Sequence, residues 1–337
     1  MIEIKVDIVG GSLAGLSSAI SLKKYDKSIK VRVFEKYKKI GYNAEGRRCG
    51  EAHSLMPECK KWIPPKKSIF NEIRIGETVV GSEKHSIKAK PNITGFMLNR
   101  PEFIFQLGKK AEELGAELIT DHKVKSLNEL DGEYIIDASG CPSTIKKIIG
   151  KDRGIKGSTY QQTLENSNAF VPDRLKVIFT GDPGYFWIFP RNPEKREVNL
   201  GFGTSIKTDK NLKKELEKFK KEHNITGKIN HVTGGLIPLG LQRPLMYKNI
   251  LFVGDAGVGA FTFTGQGIYR ALISGDYAAK CISKGKAKKY PRMVVGAFIK
   301  WDTIGKIYLY PSFIFSKINQ DLVLSYFKYF FNFNLSH

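Results

Sequence analysis

The chain has 337 residues and a formal net charge of +22, from 55 Lys and Arg against 33 Asp and Glu. Its 41% of hydrophobic residues can form a sizeable core, which excludes global disorder, and its 4 cysteines lack the C-x-x-C pairs of a zinc ribbon. The opening MIEIKVDIVGG indicates a strand and a turn rather than a signal peptide. Since no uncharged apolar run reaches the ~18 residues of a membrane-spanning helix, we expect a cytoplasmic protein, or one held peripherally at the membrane surface.

The positive charge is spread over lysine doublets, and its densest cluster is residues 281–292. Nucleic-acid binders concentrate charge on one face, and the sequence has no helix-turn-helix, zinc-finger or RNP pattern, so we expect no nucleic-acid partner. Lysine-rich solvated surfaces explain the excess, and attraction to an anionic lipid surface or substrate is the alternative. The 6 histidines form no metal-ligand spacing with one another or with cysteine, so we expect no metal.

The first elements in the chain predict a βαβ unit. An apolar, β-branched run ends at Gly10, residues Leu16–Lys24 have helical spacing, and residues 31–35 return to a strand. The crossover makes these strands parallel. A second helix is predicted to begin at Pro101 and to end before Gly115.

The remaining segments predict a second, antiparallel unit. Glycine and proline break residues 68–98 into short strands, and residues 155–205 alternate in the same way. A charged helix over Asp209–Glu222, a buried strand ending at Gly254 and a helix over Gly267–Ile282 follow. This order predicts an α/β fold in which an antiparallel-sheet domain is inserted into a Rossmann-like domain. We assign 1–75, 96–150 and 245–285 to the Rossmann-like domain, 76–95 and 151–244 to the inserted domain, and 286–337 to a helical, aromatic-rich C-terminal segment.

The turn after the first strand has the spacing of a phosphate-binding loop. Gly10, Gly11 and Gly15 match G-x-G-x-x-G, except that Ser12 takes the second glycine position. Amides at the helix N-terminus would face a pyrophosphate, and Glu35, at the end of the second strand, would bind the ribose hydroxyls of an adenosine.

A second motif indicates the other end of the cofactor. In residues 252–275 a buried strand ends at Asp255, and Gly265-Gln266-Gly267 opens a helix. This stretch resembles the FAD-dependent enzymes that share the p-hydroxybenzoate-hydroxylase fold, and residues 135–144 resemble the turn that precedes their substrate domain. The resemblance implies FAD, with Asp255 on the ribityl chain and the helix N-terminus at the flavin pyrimidine.

Three further stretches narrow the resemblance. Residues 47–52 (RRCGEA), 183–190 (PGYFWIFP) and 99–103 (NRPEF) resemble the geranylgeranyl (digeranylgeranylglycerophospholipid) reductase family. The resemblance implies an FAD-dependent reductase that saturates isolated double bonds of geranylgeranyl chains. Cys49 is the implied catalytic residue, and Tyr185, Trp187 and Phe189 are the implied wall of the substrate site. With the loop and turn glycines, the expected cofactor-binding residues are Gly10, Gly11, Ala14, Gly15, Glu35, Cys49, Gly50, Ala52, Arg100, Val124, Asp255, Gly265, Gly267 and Ile268.

Other readings of these residues stay open. The chain could be an aromatic-ring monooxygenase of the same fold, or a lipid-binding flavoprotein without catalysis. Cys49 could be inert, the three aromatic residues could be core, and His53 is a second candidate proton donor. The expected electron donor is reduced ferredoxin, NAD(P)H or a deazaflavin, and the sequence does not indicate which of the three.

The C-terminal stretch predicts a helix with a wide apolar face. Its members are spaced by helical turns: Ile318, Leu322, Tyr326 and Phe330, with Val323, Phe327 and Phe331 beside them. With Lys317, Lys328 and the lysines of 284–289, this face could meet anionic lipid. The alternative is that it packs on the core or closes the substrate tunnel.

Overall fold

Three β-sheets organise the residues that the computed structural model describes, which are 4–42, 48–54, 57–88, 95–205 and 210–335. The strands are β1 (Lys5–Val9), β2 (Lys30–Phe34), β3 (Ala52–Ser54), β4 (Ile69–Ile73), β5 (Ile75–Val80), β6 (Glu83–Lys88), β7 (Gly95–Leu98), β8 (Glu117–Ile119), β9 (Tyr134–Asp137), β10 (Lys156–Glu165), β11 (Arg174–Phe179), β12 (Gly184–Pro190), β13 (Val198–Thr204), β14 (Lys228–Pro238), β15 (Met246–Tyr247) and β16 (Ile250–Phe252).

Helices connect these strands and close the C-terminal end. The α-helices are α1 (Leu13–Tyr25), α2 (Arg100–Glu113), α3 (Thr144–Ile148), α4 (Leu212–Glu222), α5 (Ile268–Ser283), α6 (Tyr290–Ser316) and α7 (Gln320–Leu335). Short 3₁₀ helices cover Pro57–Trp62, Lys66–Ser68, Leu127–Glu129, Gly254–Ala256 and Ala287–Lys289. In the described ranges, no helix is both long enough and apolar enough to cross a membrane.

The six-stranded sheet has the order β15-β16-β9-β1-β2-β8 and draws strands from both ends of the chain. β1 pairs in parallel with β2 and β9, which confirms the predicted βαβ unit. α1 begins at Leu13 rather than at Leu16 because Ser12 caps its first turn. α1 and α5 pack together against this sheet, and their apolar residues join its strands in the largest hydrophobic cluster.

The seven-stranded sheet has the order β14-β10-β13-β12-β11-β5-β6. Most of its pairs are antiparallel, as predicted, but β11 pairs in parallel with β5, from Arg174 beside Ile75 to Phe179 beside Val80. The sheet is therefore mixed, because β5 enters it from a distant part of the chain. α4 covers one face of this sheet through Leu216. The helix begins at Leu212, after its N-cap Asn211. Asp209, the predicted start, lies outside the described residues.

The three-stranded sheet, of order β3-β7-β4, joins the two larger ones. It receives the Cys49–Gly50 segment, which enters β3, and it leads through β7 into α2. α2 begins with Pro101 in its first turn and is followed by Gly115 at φ 88°, as the sequence predicts. We keep the three-region division given above as a proposal, with β5, β6 and β10–β14 in the inserted domain.

α6 and α7 pack over β5 and β11 of the seven-stranded sheet. Val323 and Phe327 of α7 are both 0% exposed, in a cluster with Tyr308 and Phe179. The apolar face predicted for the last helix is therefore divided. Val323 and Phe327 contact the core, and Ile318 and Leu322 are exposed; the side chains of Phe330 and Phe331 lie outside the described residues.

Candidate active site

The phosphate-loop sequence folds as a tight turn between β1 and α1. Gly10 has φ 108°, and a Cβ atom there would stand 2.6 Å from the carbonyl oxygen of Ala138. Gly15 lies even closer to its neighbours, since a Cβ would stand 2.0 Å from the Gly10 carbonyl oxygen. Ser12 Oγ accepts from Gly15 N at 3.3 Å and donates to Ala138 O at 3.0 Å. Its hydroxyl therefore caps α1, as N-cap serines do, which explains a serine at this position.

Glu35 lies beside this loop at the end of β2, as predicted. Its carboxylate is held by two backbone amides, with Gly11 N at 2.8 Å and Tyr37 N at 3.0 Å, and the residue is 4% exposed. A Cβ at Gly11 would stand 3.2 Å from the Glu35 side chain, so the glycine permits this close approach. The carboxylate is thus fixed next to the glycine turn, where an adenosine ribose could reach it.

The second motif adjoins the first. A Cβ at Gly254, whose φ is 56°, would stand 2.8 Å from the Ala14 side chain, so the strand-end turn lies on the start of α1. Asp255 is exposed, yet surrounding protein atoms desolvate it and raise the pKa of its carboxyl above the ordinary value, opposed by the Arg100 and Arg270 guanidiniums. A carboxylate that is both exposed and desolvated lines an open cleft. Arg100 is close enough to lower the pKa of this carboxyl.

The N-terminus of α5 opens beside Asp255. Gly267 is its N-cap, where a Cβ would stand 3.7 Å from Asp255 Oδ1. No side chain in the described part of the chain caps this terminus by a hydrogen bond, and its first turn carries no acidic residue. Its amide groups and partial positive charge therefore remain for a ligand that is, or becomes, anionic.

The predicted substrate residues form one aromatic row on β12. Ring centroids lie 6.0 Å apart for Tyr185 and Trp187, and 6.4 Å apart for Trp187 and Phe189. Tyr185 Oη donates to Thr264 O at 2.7 Å, which joins the row to the loop of Gly265 before α5. Phe186 points to the opposite face, into the core with α4. On the face of the row, Tyr185 packs with Phe179 against the cluster of α6 and α7, at a centroid separation of 5.5 Å.

The Cys49–Gly50 segment lies against this row. A Cβ at Gly50 would stand 2.9 Å from Phe189 Cε2, so the glycine allows the backbone to pass the ring. Gln161 Nε2 donates to Cys49 O at 3.2 Å, while Gln161 Oε1 accepts from Trp187 Nε1 at 3.0 Å. Cys49 is half-buried. Sequence reasoning missed Gln161, because β10 (KGSTYQQTLE) is mostly polar and nothing in its pattern distinguishes this glutamine from its neighbours.

Three other residues predicted to bind the cofactor, Ala52, Val124 and Ile268, have positions known mainly from their secondary structure and burial. Ala52 begins β3 and pairs with Met97, and Ile268 begins α5. Val124 is 3% exposed and packs with Phe34 in the core, which leaves only its backbone for a ligand. Arg47, quoted in the Cys-Gly motif, lies outside the described residues.

His53 is unsuited to the role of proton donor that the sequence left open. It is 2% exposed, and among the described residues no hydrogen-bond partner reaches either ring nitrogen. Burial lowers its pKa to about 4. The imidazole is therefore neutral at pH 7 and faces Phe103, with a centroid separation of 6.5 Å.

The residues present fit FAD. The glycines let α1 begin directly at the end of β1, and the Glu35 carboxylate is fixed beside that turn for a ribose. Asp255 lies beside the N-terminus of α5, which no side chain in the described ranges caps by a hydrogen bond.

Comparison with known proteins agrees with this arrangement. Residues 156–237 match the family model of the geranylgeranyl reductase catalytic domain, and residues 8–55 match that of an NAD(P)-binding Rossmann-like domain. A digeranylgeranylglycerophospholipid reductase of Thermoplasma volcanium is 27% identical over 331 residues, which cover 87% of this chain and 81% of that protein.

Solved structures share the fold. A geranylgeranyl bacteriochlorophyll reductase-like protein from Thermoplasma acidophilum superposes with a TM-score of 0.83 at 22% identity, over 96% of this chain and 90% of the other. The 2,6-dihydroxypyridine-3-hydroxylase of Arthrobacter nicotinovorans gives 0.66 at 15% identity, over 90% and 91%. The predicted fold class is confirmed. The family resemblance is confirmed as well: this chain is a relative of the digeranylgeranylglycerophospholipid reductases, and its residues 156–237 match the catalytic domain of geranylgeranyl reductases.

Proposed function

We propose that this protein is an FAD-dependent reductase that saturates isolated double bonds in the geranylgeranyl chains of lipids. The observation that carries the proposal is the contact between the Cys49–Gly50 segment and the aromatic row, beside the open end of α5. The names of its relatives support the same reaction.

In this proposal the phosphate loop and Glu35 hold the adenosine diphosphate half of FAD, and Asp255 with the α5 N-terminus holds the flavin half. When bound and reduced, FAD would supply a hydride to the alkene. The positive end of α5 would favour a reduced, anionic cofactor.

The chain's own residues would deliver the proton to the substrate and stabilise the positive charge that develops on it. An isolated trisubstituted alkene has no electron-withdrawing group, so a proton must arrive before or with the hydride, and cationic character develops on the tertiary carbon. The faces of Tyr185 and Trp187 would stabilise that cation. The row would also exclude water, which could trap it. Cys49 is our candidate for relaying the proton or shaping the flavin edge.

Each turnover requires two electrons from outside the chain. We propose an external donor, which is reduced ferredoxin, NAD(P)H or a deazaflavin. Anaerobic mixing of the oxidised protein with each donor in turn, followed by flavin absorbance, would identify it.

One experiment tests the reaction itself. The purified protein is reduced anaerobically and mixed with a geranylgeranyl lipid, and reoxidation of the flavin is followed with mass spectrometry of the lipid. We expect reoxidation with a mass gain of two hydrogens per reduced bond, and no reoxidation with the fully saturated lipid as control. Reoxidation only by oxygen, with hydroxylation of an aromatic compound, would instead identify a monooxygenase.

We propose further that the protein contacts the membrane peripherally, through the outer face of α6. The exposed fractions are 56% for Ile307, 53% for Tyr310, 57% for Ile314 and 68% for Ile318 just beyond the helix. These residues follow one another by three or four positions and so share a face. Contiguous exposed apolar surface of this kind marks an interaction site.

Basic residues flank that face. Lys306 and Lys317 are exposed beside it, and the lysines of 284–289 precede the helix. Lys328, also expected to meet headgroups, is instead paired with Glu83 on β6 at 2.9 Å. The combination of apolar side chains and lysines is complementary to an anionic lipid surface. A surface contact of this kind would give the enzyme access to a water-insoluble substrate.

A further inference from the structure

A buried group of charged side chains lies beside the Cys49–Gly50 segment. The side chain of Arg191 is 8% exposed and is paired with those of Glu51, 0% exposed, and Glu197, 3% exposed. Arg191 Nε donates to Glu51 Oε2 at 2.5 Å, Arg191 Nη1 donates to Glu197 Oε2, and the guanidinium carbon lies 4.2 Å from the ring centroid of Phe70. Charges so fully removed from water are tolerated only when they remain paired.

Glu51 connects this group to the Cys49 thiol. Its backbone N–H donates to Cys49 Sγ at 3.2 Å, and its carbonyl accepts from Leu98 N at 2.9 Å. Its carboxylate and the Gly50 carbonyl share one donor, because Asn199 Nδ2 lies 3.2 Å from Glu51 Oε2 and 3.3 Å from Gly50 O. Asn199 therefore connects the Glu51 carboxylate to the turn that carries the thiol.

The backbone of Glu51 needs this support. Its φ is 60°, in the left-handed region that residues with a side chain rarely occupy. Such conformations persist where surrounding contacts hold them, and they gather at functional sites. Here Arg191, directly after β12, and Asn199, in β13, supply those contacts.

We infer that Glu51, clamped by Arg191, is a positioning residue that fixes the Cys49 thiol against the aromatic row. The catalytic meaning of that position rests on the proposed function, but the positioning itself does not. Gln161 holds the carbonyl of Cys49 and Glu51 holds its sulfur, so the thiol is fixed from both sides.

The variant Glu51→Gly tests this. Glycine adopts φ 60° without strain, and Arg191 keeps Glu197 as a partner, so we expect the variant to fold. Loss of the carboxylate should loosen the turn and speed alkylation of Cys49 by iodoacetamide about tenfold, because thiol reactivity depends on access. The modified fraction is measured on the Cys49 peptide by mass spectrometry. Lipid reduction should lose about tenfold in kcat with little change in KM.

Two further variants make the result specific. Glu51→Gln keeps an acceptor for Arg191 and should restore part of the wild-type alkylation rate. Glu77→Gln is the matched control, since Glu77 is 4% exposed and paired with Arg174 at 2.8 Å and Lys176 at 3.1 Å, on β5 of the seven-stranded sheet. It should lower the melting temperature without changing Cys49 alkylation. A Glu51→Gly protein that alkylates at the wild-type rate would overturn the inference. Faster alkylation supports it even if the wild type reduces no lipid, which would refute the proposed function alone.

Discussion

The indole of Trp187 lies directly on the backbone of Gly201. A Cβ atom at Gly201 would stand 2.1 Å from Trp187 Cζ2, and the two residues are register partners in β12 and β13. The indole N–H donates to Gln161 on β10, the strand on the far side of β13. The ring therefore packs directly on the backbone of β13, because Gly201 has no side chain. This contact sets the distance between the aromatic row and the sheet.

We expect Gly201→Ala to displace the indole. Overpacking of this kind costs about 1–3 kcal/mol of unfolding free energy, and a tilted ring should raise the KM for a prenyl lipid. Melting temperature and tryptophan fluorescence report the displacement. Gly203→Ala is the matched control, because its Cβ would stand 3.2 Å from Trp187 Cζ3 and needs only a small adjustment. Equal effects of the two variants would contradict the role assigned to Gly201.

Glu35 should control cofactor affinity. In Glu35→Gln the neutral side chain keeps one acceptor oxygen, so it loses the charge that would hold a ribose hydroxyl and one of its bonds to Gly11 N and Tyr37 N. A hydrogen bond to a charged group contributes about 1.5–3 kcal/mol, so the Kd of FAD should rise about 10–100-fold. Fluorescence titration of the apoprotein measures it. Glu117→Gln, which changes an exposed carboxylate in the same sheet, should bind FAD as the wild type does.

The parts of this site that could be predicted from the sequence were those with local signals. Gly10 and Glu35 stand at strand ends with the spacing of a nucleotide site, and Asp255 was implied by the family resemblance. Ser12 broke the glycine pattern, and its reason, a cap on α1, required the structure. Gln161 was missed because a polar residue in a strand acquires its meaning from partners that are distant in sequence.

The topology and the last helix show the same limit. The parallel pairing of β5 with β11 is non-local, and a short apolar strand carries no signal of its direction. In the C-terminal segment apolar residues occur on nearly every face, so periodicity does not indicate which stripe meets the core. The contacts of Val323 and Phe327 decide that, and they leave the outer face of α6 exposed.

His53 should make the protein sensitive to acid. Its pKa is lowered from 6.5 to about 4 by burial, so between these values the unfolded chain binds a proton that the folded chain does not. Its contribution to stability is present above pH 6.5 and is lost as the pH falls toward 4, by about 3 kcal/mol. Urea unfolding across this pH range measures the loss. His53→Leu should remove that part of the slope, and a His53→Leu protein that loses stability in acid as steeply as the wild type would contradict this assignment.

Cys49 should be required for turnover but not for binding FAD. Cys49→Ala removes the thiol while the backbone contacts from Gln161 and Asn199 remain. We expect stoichiometric FAD and a kcat about 100-fold lower, the smaller end of what a positioned proton donor contributes. Single-turnover reoxidation of the reduced flavin by lipid separates this from donor reduction. A variant that turns over at the full rate would show that Cys49 is only a packing residue.

The outer face of α6 should bind anionic vesicles. Each lysine near such a surface contributes about 1 kcal/mol, and this attraction is screened by salt, whereas burial of Ile314 and Ile318 in the lipid is not. We expect the full chain to sediment with vesicles of anionic phospholipid at low salt and to be partly released at high salt. The double variant Ile314→Glu with Ile318→Glu should remove binding at both salt concentrations. Ile63→Glu is the control, because Ile63 is 58% exposed but lies far along the chain from α6.

Sedimentation velocity without vesicles tests whether the outer face of α6 instead joins two copies of the chain. No vesicle binding by the full chain at low salt, or a dimer that the double variant dissolves, would refute the membrane contact.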